Sequence, residues 1–311
     1  MMSKDHQEAD APQLKTVPVD ADRMKGLLWG LVVGDCLGSP IQFTGKDGHP
    51  LITEMVACPV FNLPAGYWTD DSSMAFCVMD SFIRKGGYDL ADIGQTFVRW
   101  LREGYLSSKD GQAFDVGGAT YAAGLALQRG SLVNGSEESQ GNGSIMRFAP
   151  SYLIARALQR TEVLHEVSDL THASRRVRQV VDRFASVLDA HMVGTRTTAR
   201  SEFQMRDEVN NSGWAVSTLE AALWAFNTTE SFEDALVAAV NLGGDSDTIG
   251  AVCGQIAGAY YGYEAIPKRW IRAVKTWQKV DGFIDGFLGK VVPIHNGPQS
   301  CVRSRRLGKD K

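Results

Sequence analysis

Two short stretches of the chain hold more carboxylate than local structure needs. In WTDDSSMAF (68–76) Asp70 and Asp71 stand side by side between Thr69 and two serines, and in NLGGDSDTIG (241–250) Asp245 and Asp247 flank a serine ahead of Thr248. Each cluster opens an apolar run that reads as a helix. One side-chain oxygen is enough to cap a helix N-terminus, so the second aspartate of each pair is surplus. Carboxylate and hydroxyl oxygens are hard ligands, and four aspartates with two threonines suit magnesium, manganese or calcium better than zinc or copper. The softer metals have little support: Cys36, Cys58, Cys77, Cys253 and Cys301 form no C-x-x-C pair, and no H-E-x-x-H occurs.

Two glycine-bearing loops add candidate ligand contacts. FDVGGAT (114–120) sets Asp115 before Gly117 and Gly118, and GNGSIMRFAP (141–150) offers Asn142, Gly143, Ser144 and Arg147. Glycine-rich turns at helix starts present backbone N–H groups to phosphates or sugar hydroxyls, although any turn uses the same residues. Neither a G-x-x-x-x-G-K-[ST] loop nor a G-x-G-x-x-G fingerprint is present, which disfavours the usual nucleoside triphosphate chemistry.

The elements that must carry these residues read as helices. Apolar residues recur three and four apart in DLADIGQTFVRWLREGYL (89–106), and residues 216–242 read as two helices broken at 228–231. Alternating strand patterns are scarce. The expected fold is all-α, a bundle of roughly a dozen helices. Glycines recur every four residues at 26, 30, 34 and 38 and again at 250, 254, 258 and 262. An interior helical glycine costs about 1 kcal/mol relative to alanine. Two such rows predict central helices whose bare stripes admit another backbone close to the site.

The chain has 311 residues, 44% hydrophobic and 22% charged, with a formal charge of −4. That is enough to bury a large core and gives no global attraction to nucleic acid. Scattered cysteines and the lack of an apolar signal segment predict an intracellular, cytoplasmic protein with reduced thiols. No apolar run reaches the roughly 20 residues of a membrane span. Residues 1–21 are expected to be a disordered leader, 22–292 one helical domain and 293–311 a basic flexible tail; a monomer is expected.

The ordered set GLLWGLVVGDCLGSP, WTDDSSM, FDVGGAT, GNGSIMR, LTHASRRV, SGWAVSTLEAALWAF and NLGGDSDTIGAVCGQIAGAYYG resembles the ADP-ribosylglycohydrolases. The matches run from about residue 26 to 263. The resemblance implies an all-helical bundle around a central binuclear site holding two divalent cations, Mg²⁺ or Mn²⁺, with Thr69, Asp70, Asp71, Asp245, Asp247 and Thr248 as ligands. It implies hydrolysis of an ADP-ribosyl bond on a modified protein, arginine linkage first, or on a small ADP-ribosyl substrate. Asp115 would lie beside the substrate and handle a proton, together with Asp70 or Asp247. Asn142, Gly143, Ser144 and Gly117 would line the diphosphate and ribose region, and His172 and Trp214 the far ribose and adenine.

Plainer readings accompany these roles. By pattern Trp214 belongs to the core, His172 is a surface or satisfied core histidine and Asp35 is a helix-end residue; Arg147 binds a diphosphate or pairs with an acid. One position departs from the family: many members have glutamate where this chain has Gln42, which hydrogen-bonds but cannot act as a carboxylate base. A catalytically weak or inactive ADP-ribose binder is therefore the alternative, and an unrelated metal-dependent phosphohydrolase a third reading.

Overall fold

The computed structural model describes residues 20–296. Helix α1 (Ala21–Gly38) begins at Asp20, whose carboxylate accepts from the N–H groups of Asp22 and Arg23. It thus takes up the last two residues of the expected leader. From Gly26 onward every residue of α1 is buried, as expected of a helix that is apolar all round.

The partner of α1 is α10 (Ser246–Tyr261), and the two run antiparallel along their glycine rows. Gly26 faces Gly258, Gly30 faces Gly254, Gly34 faces Gly250, and Gly38 meets the backbone of Ser246 and Asp247. A Cβ on Gly254 would lie 2.5 Å from the Gly30 carbonyl carbon, so the stripes touch backbone to backbone. Gly262 is not part of the helical row: it ends α10 with φ +83°.

Around this pair are α2 (Asp70–Lys85), α3 (Leu90–Glu103), α4 (Gly118–Leu127), α5 (Phe148–Leu158), α6 (Glu162–Asp169) and α7 (Arg175–Met192). The chain continues through α8 (Ala215–Asn227), α9 (Phe232–Val240), α11 (Lys268–Ala273) and α12 (Trp277–Asn296). α10 is flanked by α8 and α9, while α2 packs against α3, α12 and α1. Among the described residues no strand forms, in keeping with the all-α expectation. The break between α8 and α9 falls where the sequence places it, with Ser231 accepting from the Asp234 N–H. α12 extends to Asn296, four residues into the segment expected to be tail.

Cys36, Cys58, Cys77 and Cys253 are buried free thiols; Cys301, residues 1–19 and the rest of the basic tail lie outside the described residues. Among the described residues no helix is long and apolar enough to cross a membrane.

Candidate active site

The first acidic cluster is released for chemistry by a cap from another helix. Thr69 is the N-cap of α2, yet its side chain makes no capping bond. Asp35 of α1 takes that part: it accepts from the backbone N–H of Thr69 at 2.9 Å and of Ser72 at 3.0 Å, and from their hydroxyls at 2.9 and 2.5 Å. Asp35 is therefore not merely a helix-end residue. Burial pushes its carboxyl up to about 6 against the four donors that favour the charged form. With the helix start satisfied from outside, Asp70 and Asp71 are left without a capping duty.

The second cluster is aimed by a backbone clip. Gly243 and Gly244 both lie in the left-handed region, at φ +64° and +63°, which glycine enters without the penalty a Cβ brings. The Gly244 N–H donates to the Thr44 carbonyl at 2.7 Å, and the Phe43 N–H donates to the Gly244 carbonyl at 2.6 Å. The loop after α1 is thereby pinned to the start of α10. Asp245 accepts from Asn142 Nδ2 at 2.5 Å. The Thr248 hydroxyl donates to Asp71 Oδ2 at 3.4 Å, bridging the two clusters.

Asp115 completes the acidic wall. Its backbone is left-handed (φ +56°), an uncommon conformation for a non-glycine residue, and its Oδ2 accepts from Gln42 Nε2 at 2.9 Å. Asp247 is fully buried, and the charges of Asp115, Asp71 and Asp245 act on it. Among the described residues no donor reaches either oxygen of Asp247, Oδ1 of Asp71 or Oε1 of Gln42, all buried. Burial first, and then the neighbouring carboxylates, hold Asp70, Asp71 and Asp247 well above the ordinary carboxylate range. Asp115 and Asp245 are raised chiefly by burial.

Part of this acidic group lines a cavity of about 510 Å³, within the roughly 300–1,000 Å³ usual for small-ligand sites. Gln42, Asp70, Asp115, Asp245 and Thr248 line it together with Gly117, Asn142, Gly143 and His172. Thr69, Asp71 and Asp247 are buried and do not line it. Ser144 is also buried, its hydroxyl without a partner, and does not line the cavity as the resemblance implied. Trp214 is not core and does not itself line the cavity: it is 60% exposed and precedes α8, paired through its backbone with Gly141 beside the cavity-lining Gly213.

Arg147 neither reaches the cavity nor pairs with an acid. It is buried behind the wall, donating to the Gly143 carbonyl and the Thr171 hydroxyl, with its guanidinium 4.9 Å from the Phe97 ring centre. Sequence reasoning missed Phe43, which lines the cavity while 67% exposed; an aromatic residue in an otherwise polar loop was the available signal.

The donor set fits hard divalent cations. Several buried carboxylates crowd together with oxygens that no donor reaches, and their mutual repulsion calls for positive charge. Among the described residues, however, no three His, Cys, Asp or Glu side chains already form a metal-holding group. The arrangement is a wall of donors with uncompensated charge, not a preformed coordination shell.

A helical fold with this carboxylate wall beside a glycine- and asparagine-lined cavity defines a class: the chain belongs to the ADP-ribosylglycohydrolase family, whose model matches residues 16–295. Among relatives, the chain is 35% identical over 288 residues to the ADP-ribosylarginine hydrolase Tri1 of Serratia proteamaculans, covering 85% of this chain and 78% of the relative. It is 29% identical to the dinitrogen reductase glycohydrolase of Rhodospirillum rubrum, covering 82% and 91%. A solved structure described as an ADP-ribosylglycohydrolase-related protein complex superposes with a TM-score of 0.72 at 31% identity, over 87% of this chain and 98% of that one.

Proposed function

We propose that the protein hydrolyses the bond joining ADP-ribose to a modified protein side chain, an arginine in the first instance, with two Mg²⁺ or Mn²⁺ ions held by the Asp70–Asp71 and Asp245–Asp247 clusters. The observation that carries this reading is the convergence of Asp70, Asp115, Asp245 and Thr248, from three distant segments, in the lining of a single cavity. The similarity to an ADP-ribosylarginine hydrolase supports the choice of linkage.

The ions would supply fixed positive charge for sugar hydroxyls and for a water molecule. The chain itself binds and orients. Asn142 and Gly143 offer an amide and close backbone approach for the diphosphate and ribose, and the exposed rings of Trp214 and Phe43 offer faces for adenine. Asp115, raised by burial and steadied by Gln42, manages the proton. As water oxygen bonds to the anomeric carbon and the carbon–nitrogen bond breaks, one water proton passes through Asp115 to the departing guanidine nitrogen, so protons balance.

A second reading, an ADP-ribose binder with little turnover, rests on Gln42. Its Nε2 is committed as a donor to Asp115, and no carboxylate stands at that position. The test is single-turnover release of ADP-ribose from arginine- and serine-ADP-ribosylated peptides with Mg²⁺, Mn²⁺ or chelator, for the natural protein, Gln42→Glu and Asp115→Asn. We expect activity on the arginine peptide that chelator abolishes. Asp115→Asn should lower it by roughly 10²- to 10⁴-fold and Gln42→Glu should change it less than about tenfold. Binding without turnover that Gln42→Glu converts into turnover would establish the binder instead; full activity in chelator would remove the cations.

A further inference from the structure

Behind the cavity lining at Gly143 and His172, three side chains form a relay that ends in the cavity. Arg147 is 1% exposed, and its Nη2 donates to Thr171 Oγ1 at 2.6 Å. Thr171, also 1% exposed, lies 2.7 Å from His172 Nδ1 through the same oxygen. A guanidinium has only donors, so the Arg147–Thr171 bond has one possible direction and Oγ1 is its acceptor. The Thr171 hydroxyl still carries one proton. Among the described residues its only remaining neighbour able to receive it is His172 Nδ1. The opposite arrangement, with Nδ1–H donating to Oγ1, would strand a buried hydroxyl proton, at a cost that buried polar groups avoid.

We propose that Arg147 and Thr171 are positioning residues that fix the tautomer of His172, so that the imidazole is neutral, accepts at Nδ1 and presents Nε2–H to an oxygen of the ligand. The ring is also held in place. A Cβ on Gly143 would lie 2.7 Å from His172 Cε1 and 3.2 Å from Nε2, and one on Gly141 3.3 Å from Nε2. The imidazole therefore rests on the two glycines that line the cavity, with Nε2 on their side. Arg147 fixes this floor twice, because its other amino group donates to the Gly143 carbonyl. Burial and the Arg147 charge both disfavour a second proton on the ring, holding it down to about 3. His172 is then a fixed neutral donor, not an acid, a base or a cation for the diphosphate.

The identity of the ligand oxygen rests on the proposed ADP-ribose site; the tautomer does not, and it is read without ligand. Full-length protein labelled with ¹⁵N-histidine is studied by long-range proton–nitrogen correlation at pH 7, His172 being assigned by its absence in His172→Gln. The natural protein should show a pyrrole-type Nε2 and a pyridine-type Nδ1. Thr171→Val should convert His172 to the Nδ1–H form or to an exchanging mixture and weaken ADP-ribose binding about tenfold. Thr171→Ser should restore both. An Nδ1–H form in the natural protein, or an unchanged spectrum in Thr171→Val, overturns the proposal. If ADP-ribose does not bind while the Nε2–H form is found, the ligand reading fails and the relay stands.

Discussion

The glycine contact between α1 and α10 makes a quantitative prediction with an internal control. In Gly254→Ala the new methyl would lie 2.5 Å from the Gly30 carbonyl carbon, and its mirror image Gly30→Ala 2.6 Å from that of Gly254. Ordinary contact between such carbons begins near 3.4 Å, so the helices must separate by at least roughly 0.9 Å, the carbonyl oxygen being nearer still. The obstacle is backbone in the middle of the core, which cannot rotate aside. Overpacking of this kind costs about 1–3 kcal/mol, with the upper end expected here, while the change from glycine gains about 1 kcal/mol of helix propensity. A net loss of about 2 kcal/mol should lower Tm by roughly 3 °C in a chain of this size. The control is α12, where Gly286 meets nothing within 4 Å; there Gly286→Ala should raise stability by up to about 1 kcal/mol. Thermal and denaturant unfolding of the three variants decides the matter. A neutral or stabilising Gly254→Ala beside a stabilising Gly286→Ala would refute the close-approach argument.

Three further outcomes follow from the structure. Asp247→Asn removes a charge from a crowded buried group, so in chelator its Tm should not fall, whereas metal affinity by calorimetry and turnover should both drop, turnover by more than about a hundredfold if the cations are used as proposed; a collapsed fold would recast Asp247 as structural. Asp35→Asn places an amide N–H₂ against donors from Thr69 and Ser72, which should cost about 2–3 kcal/mol and be visible as a lower denaturation midpoint; an unchanged midpoint would deny Asp35 its capping role. His191 is buried, hydrogen-bonds the Ile256 carbonyl at 3.0 Å and is pushed down to about 4 by burial. Below its ordinary 6.5 the unfolded chain takes up a proton that the folded one refuses, so about 3 kcal/mol of stability should be lost as pH falls from 6.5 to 4; His191→Gln should flatten that slope, and an equal slope would exclude it.

What was legible in the sequence was whatever a local pattern encodes. The acidic clusters do open α2 and α10, the break at 228–231 does separate α8 from α9, and the two glycine rows do mark central helices. Legibility ended where one segment answers to another. Asp35 looked like a helix end because its four donors arrive from residues 69 and 72, which no spacing near Asp35 reveals. Trp214 looked like core because it adjoins an apolar helix, but the chain turns at that residue and leaves the ring outside. Arg147 and Ser144 belong to a loop rich in ligand-binding residue types, and only the burial of that wall shows that both lie behind it.

The pairing of α1 with α10 also has a consequence for how the chain is made. The two halves of the glycine seam are separated by roughly 220 residues, which at about 5–20 residues per second leaves α1 waiting on the order of 10–40 s for its partner to be synthesised. During that time a helix destined for burial from Gly26 onward, with leucine, valine and tryptophan outside its glycine stripe, has only provisional neighbours. The carboxylates reach one another only when the seam closes, so newly synthesised chains should acquire the active site late and in one step, and agents that shield apolar helices during synthesis should raise the yield of active protein more than the yield of total protein.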